Sequence, residues 1–214
     1  SVTGVQTCAL PIFSAADRLQ PFYVSVFSYE RDFAPVISAL KAFQDERRKA
    51  EAGFYVHALV AAGKSASPFL DAWEKAGKPF PAAALPFLRQ SDWDSVLSAC
   101  QWNLVRGEDS LSRASLAGVP FLWHAYPQED EYQLVKVQAL LKRLTPYVPE
   151  SLAGALETAW KTYNTESGFS SESFLTLLRN TETLTQAFAG FSDALIANGN
   201  FAGHLLTHLR KIKL

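Results

Sequence analysis

The feature that most constrains this chain is the alternation, from Pro21 to about Glu129, of short apolar runs with longer amphipathic segments. Runs rich in aromatic and branched residues fit buried strands, and charged segments with apolar residues at helical spacing fit helices laid over them. The first run is FYVSVFSY, Phe22 to Tyr29. The next segment places Phe33, Ile37, Leu40 and Phe43 at helical spacing, with a charged face from Asp45 to Glu51 and Pro35 in the first turn, where a helix tolerates it. FYVHALVAAG, Phe54 to Gly63, reads as a second strand, Ser67 to Lys75 as a helix, and AAALPFLRQ as a third strand ending in a loop with Phe87 at the strand's end. SDWDSVLSAC reads as a short helix capped by Ser91 or Asp92, and WNLVRG as a fourth strand. EDSLSRASLAG then reads as a helix closed by Gly118, and VPFLWHAY as a fifth strand. Strands separated by helices predict an α/β fold, a Rossmann-like doubly wound parallel sheet flanked by helices. Beyond Glu129 the strand signals stop, and five further helical stretches form a helical C-terminal tail.

Composition narrows the function classes. The 214 residues are 48% hydrophobic, ample for a buried core. Twenty basic residues against twenty-one acidic leave a net charge of -1, so no global field favours nucleic acid or an anionic membrane. No apolar run has membrane-spanning length and the N-terminus lacks a signal-peptide pattern, so a cytoplasmic location is expected. Cys8 and Cys100 make neither a disulfide framework nor a zinc site, and no acidic set is spaced for a metal. Val2 to Ile12, VTGVQTCALPI, reads as a translated short-read sequencing adapter, so residues 1–12 are set aside as non-native and 13–214 are taken as the genuine domain.

GxGxxG, GxxxxGK[ST] and HExxH are all absent, which leaves dinucleotide dehydrogenases, P-loop NTPases and zinc hydrolases without support. The chemistry concentrates instead in RGEDS, between the fourth strand and its helix. Gly107 lets the backbone turn sharply and approach a ligand. The N–H groups of the helix start and the Ser110 hydroxyl suit a phosphate, Arg106 can neutralise it, and Glu108 can accept from ribose hydroxyls. An equally economical reading has Glu108, Asp109 and Ser110 simply capping a helix, whose start favours acids. Phe27 and Tyr29, at the end of the first strand, and Phe87 are core residues or ligand contacts. His57, His204 and His208 read as structural; His124 follows a strand toward the ligand edge, and a satisfied structural role is the simpler account. Trp93, Trp102 and Trp123 read as core.

The stretch from LPFLRQSDW through RGEDS, AGVPFLWHAYPQED and on to Leu141, together with VSVFSYE, resembles the protein-arginine rhamnosyltransferases that modify bacterial translation elongation factor P. The combination of RGEDS with AGxPFxW and YPQED is far more specific than any one motif. The resemblance implies the C-terminal, donor-binding half of an inverting GT-B glycosyltransferase that is metal-independent and takes dTDP-β-L-rhamnose, with elongation factor P as protein acceptor. It places Phe87 and Gln90 near the thymine, Glu108 at the ribose, Tyr29, Arg106, Asp109 and Ser110 around the diphosphate, and Phe27 along the same pocket. The catalytic acids of the family belong to an N-terminal half outside this sequence; Asp17 and Asp32 do not match them, so no catalytic residue is assigned and the fragment is expected to bind donor without transferring. Gln101, Leu104, Leu111 and Gln133 depart from the family pattern. Two readings compete: another nucleotide-sugar enzyme with the same kind of donor half, and a noncatalytic binding module.

Overall fold

The apolar runs become strands because a central strand of a parallel sheet is buried on both faces. In the computed structural model, which describes residues 21–165 and 168–212, β1 (Phe22–Val26) and β4 (Trp102–Arg106) are such strands, with Val24, Val26, Trp102 and Leu104 fully buried. Residues 2–12, Cys8 and Asp17 lie outside the described residues. β2 (Val56–Val60), β3 (Ala82–Ala84) and β5 (Phe121–His124) complete a five-stranded sheet in the order β3-β2-β1-β4-β5. Every pairing is parallel, with Val24 beside Trp102 and Arg106 beside His124. The strand order reverses between β1 and β4, which opens a crevice at their carboxyl ends, the usual ligand position in open α/β sheets.

The connecting helices are α1 (Ala34–Ala50), α2 (Ala66–Lys75), α3 (Gln90–Ala99) and α4 (Gly107–Ala117). They are followed by α5 (Gln133–Leu144), α6 (Glu150–Thr162), α7 (Ser171–Arg179), α8 (Thr181–Ala197) and α9 (Phe201–Ile212). α1 packs with α2 and α7, and α7 with α6; α3 packs with α4, and α4 with α8. α4 ends as expected, at Gly118 in the left-handed region with φ 67.

Several boundaries differ from the sequence reading. The first strand stops at Val26, so Phe27 and Tyr29 sit on the loop after it, although the Phe27 N–H still donates to the Leu104 carbonyl at 2.8 Å. β3 is only three residues long, which puts Phe87 on a loop rather than at a strand end. α3 begins at Gln90 with Arg89 as its N-cap and no side-chain cap bond, so neither Ser91 nor Asp92 caps it. The C-terminal helices are no appendage: the Trp102 indole N–H donates to Thr181 Oγ1 at 2.8 Å, and Phe121 lies among Trp160 and Phe188. Only α9 stands apart, with Leu205, Leu206, Leu209 and Ile212 exposed. No helix among the described residues is long and apolar enough to cross a membrane.

Candidate functional site

A cavity of about 290 Å³ opens at the carboxyl edge of the sheet, lined by Phe27, Gly63 and Phe87 on the loops after β1, β2 and β3, and by Gln90 at the start of α3, Arg106 at the end of β4 and Ser110 in α4, among others. Six of the eight residues singled out from the sequence therefore line one space: Phe27, Phe87, Gln90, Arg106, Asp109 and Ser110. Phe87 is 88% exposed, an aromatic ring offered to solvent on a loop beside the cavity. Phe27, also in the lining, is braced by an edge contact with Trp93, ring centroids 5.5 Å apart.

Arg106 closes β4 and serves as N-cap of α4. Its guanidinium lies 4.5 Å from the Phe27 ring centroid and 5.0 Å from that of Tyr29, and it forms no ion pair among the described residues. A half-buried cation held by two aromatic faces, with its charge uncompensated, is ready for an anion. Directly after it, Gly107 has φ +64, and a Cβ there would come within 3.1 Å of the Tyr29 hydroxyl, so backbone and phenol meet where only glycine fits.

Glu108 and Asp109 sit in the first turn of α4, where a helix start favours acids. No side chain caps α4: Asp109 bonds Arg113 at 3.1 Å, and Glu108 bonds Lys136 at 3.0 Å. Ser110 is 7% exposed, lines the cavity, and its hydroxyl has no partner among the described residues. The free N–H groups of the first turn, the unpaired guanidinium and the Ser110 hydroxyl converge on one space, a geometry that suits a phosphate.

Tyr29 and Glu108 stand beside the cavity rather than in its wall. Tyr29 abuts Gly107, and burial pushes its phenol pKa up while Arg106 pulls it down. Glu108 is 61% exposed at the side chain. The lining residues that the sequence did not single out are Ala61, Ala62 and Gly63 after β2, Pro86 and Leu88 flanking Phe87, and Trp93, which is buried as expected but also faces the cavity. The VAAG end of the second apolar run was the available signal for the first three.

His124 is buried at 7% exposure and bonded, Nδ1 to Ser28 Oγ at 2.9 Å. Burial, with the Arg31 charge nearby, pushes its pKa down to about 3, so the ring is neutral. The Cys100 thiol is pushed up to about 12 by burial. Among the described residues no group of His, Cys, Asp and Glu could hold a metal ion. The departures from the family pattern are accommodated: Gln101 Oε1 accepts the Tyr23 N–H at 2.6 Å, and Gln133 bonds the Gln128 N–H and the Asn164 carbonyl, both at 3.0 Å.

A parallel sheet with a strand-order reversal, an uncapped helix start and an unpaired arginine over the crevice define a Rossmann-like α/β protein with an anion-ready ligand site. The sequence model of the family described as "Elongation-Factor P (EF-P) rhamnosyltransferase EarP" matches residues 8–210, and the chain belongs to that family. It is 34% identical over 163 residues to a protein-arginine rhamnosyltransferase of Shewanella oneidensis, covering 69% of this chain and 38% of that protein. With the Pseudomonas aeruginosa protein-arginine rhamnosyltransferase it shares 46% identity over 84 residues, covering 39% of this chain and 22% of that protein. The chain thus matches well under half the length of these curated relatives. A solved structure described as "Structural basis for EarP-mediated arginine glycosylation of translation elongation factor EF-P" superimposes with TM-score 0.68 at 25% identity, covering 91% of this chain and 61% of that one.

Proposed function

We propose that this chain is the donor-binding half of an inverting, metal-independent GT-B protein-arginine rhamnosyltransferase, which holds dTDP-β-L-rhamnose for transfer to an arginine of elongation factor P in the cytoplasm. The observation that carries this reading is the uncompensated Arg106 guanidinium at the uncapped start of α4, on the wall of the crevice. Phe87 and Gln90 would hold the thymine, Glu108 the ribose, and Arg106, Ser110, Asp109 and Tyr29 the diphosphate, with Phe27 along the wall. The bond that forms joins an acceptor guanidinium nitrogen to the anomeric carbon, its N–H proton passing to a base among the acceptor-side groups; the bond that breaks joins that carbon to dTDP, which departs with the electron pair. Acceptor groups must face the donor across a cleft for that attack, and they would come from an N-terminal acceptor-binding half. Asp32 stays out of this chemistry: it accepts the Ala34 N–H at 2.9 Å at the entrance to α1.

Calorimetric titration of the chain with dTDP, UDP and thymidine tests the reading. The expected order is dTDP ahead of UDP, with thymidine weak. Equal binding of UDP would favour another nucleotide-sugar enzyme, and no binding by a chain that melts cooperatively would favour a noncatalytic module. The chain alone is expected to leave elongation factor P unmodified, and rhamnosylated product would refute its being only the donor half.

A further inference from the structure

A diphosphate at the start of α4 meets two acids there. Glu108 and Asp109 occupy the first turn, beside the free N–H groups that suit a phosphate, and Arg106 is the one cation of the RGEDS stretch. That stretch alone carries one positive and two negative charges, a balance that opposes an anion. The same acids that favour the helix start therefore work against the ligand its N–H groups would hold.

The fold answers each acid with a cation from further along the chain. Asp109 bonds Arg113 Nε at 3.1 Å, but Arg113 also bonds both oxygens of Asp94, at 2.9 and 3.1 Å, so its charge is divided between two carboxylates. Glu108 has an undivided partner. Lys136 Nζ lies 3.0 Å from Glu108 Oε1, and neither side chain forms another ion pair among the described residues. The pair spans 28 residues and ties the first turn of α5 to the first turn of α4. Burial raises the Tyr29 phenol pKa, and Arg106, Glu108 and, more weakly, Lys136 act on it by charge, so all three charges gather around the phenol that abuts Gly107.

α5 is fixed where it delivers that lysine. Gln133, one turn before Lys136, is buried; its Oε1 accepts the Gln128 N–H and its Nε2 donates to the Asn164 carbonyl, both at 3.0 Å. Asn164, also buried, accepts the Ala125 N–H and donates to the Trp123 and Trp160 carbonyls, each at 2.8 Å. The start of α5 is thus pinned to the end of β5 and to α6, and a lysine presented from a pinned turn reaches its carboxylate at a smaller entropic cost than one on a loose segment.

We propose that Lys136 is a positioning residue for the diphosphate: by holding Glu108 Oε1 it cancels the carboxylate charge beside the phosphate site and leaves Oε2 for a hydroxyl of the nucleoside. It acts through Glu108 and does not touch the phosphates. This rests on the nucleotide reading above, and the test separates the two. In calorimetry on the 214-residue chain, the ratio of dTDP to thymidine affinity reads the phosphates alone, because the two ligands share base and deoxyribose. Lys136→Gln is expected to lower that ratio about two- to fivefold, the range an exposed ion pair carries, and Lys136→Arg to keep it. A lysine that only supported the fold would weaken both ligands together and leave the ratio alone. Glu108→Gln removes the acid itself, so adding Lys136→Gln to it should leave the ratio where Glu108→Gln sets it. An unchanged ratio in Lys136→Gln overturns the proposal. So does an equal fall with Glu108→Gln present, which would put the ammonium on the phosphates themselves. If the wild type prefers dTDP to thymidine and Lys136→Gln changes nothing, this proposal alone falls; if the wild type shows no such preference, both readings fall.

Discussion

Replacing Arg106 by alanine removes a cavity-lining charge that has no ion-pair partner among the described residues. Its guanidinium is already positioned, 4.5 Å from the Phe27 ring and 5.0 Å from the Tyr29 ring, so a diphosphate would gain a preorganised partner. A hydrogen bond to a charged group contributes about 1.5–3 kcal/mol, and at about 1.4 kcal/mol per factor of ten the dTDP affinity should fall roughly ten- to a hundredfold. Thymidine, with no phosphate, should bind mutant and wild type alike. The apo protein loses the two ring contacts, about 0.5–1 kcal/mol each, and its melting temperature should drop by a few degrees. Arg106→Lys should recover only part of the dTDP affinity, because an ammonium keeps the charge without the planar fork. Calorimetry reads the affinities, and a melting scan without ligand reads the fold. An unchanged dTDP affinity in Arg106→Ala would refute the reasoning. An equal loss for thymidine would show a collapsed pocket instead of a lost phosphate contact.

Gly107→Ala forces a left-handed residue costing about 1–2 kcal/mol and sets a methyl 3.1 Å from the Tyr29 hydroxyl, so chemical denaturation should show that loss, and Tyr29→Phe should relieve part of it; a neutral Gly107→Ala would show that the turn relaxes freely. His124 titrates at about 3 when folded and 6.5 otherwise, so its contribution is complete above the unfolded value and lost as pH falls toward the folded one. Stability should therefore decline by about 1.4 kcal/mol per unit below about pH 6.5, with half-buried His57 adding in the same direction, and His124→Gln should flatten the urea midpoint against pH; an equally steep profile in that variant would sink the assignment. Cys100, with its thiol pushed up to about 12, should resist alkylation in the folded chain and react only in denaturant; prompt labelling under native conditions would contradict its burial.

What the sequence discloses about the fold follows from what periodicity can encode. The runs that became β1, β4 and β5 are apolar nearly throughout because those strands are buried on both faces, whereas β2 alternates buried and half-buried residues and β3 is a short, partly exposed stretch, and Gly118 ends α4 because its left-handed conformation requires glycine. Boundaries were less legible: Phe27 and Tyr29 are as apolar as the strand before them, but the β1–β4 pairing ends at Val26 beside Leu104. An amphipathic pattern also says that a face is buried without saying against what, so helices read as a tail in fact complete the core around Trp102 and Phe121. At the site, RGEDS was readable because its groups are adjacent in sequence. Ser28, Arg31, His124 and Tyr163 come together only through the β1–β5 spacing and the return of α6, which no local pattern records.

The same contrast bears on why the crevice, rather than some other edge, carries the chemistry. Local rules are broken there together: a helix start without a side-chain cap, a left-handed Gly107 against a phenol, a cation without a carboxylate, and an aromatic ring held in water at Phe87. Each costs folding free energy that a cap, a pair or a burial would have recovered, and elsewhere the chain does recover it, as where Ser170 caps α7 or Arg179 grips Glu46. Unmet groups that sat apart would be defects, each with its own small penalty. Brought to one strand-order reversal, they form a set that a single aromatic, polyphosphorylated ligand can satisfy at once. Filling any one of them from within the protein, for instance by an acid that pairs Arg106, should stabilise the empty chain and weaken the ligand by a comparable amount.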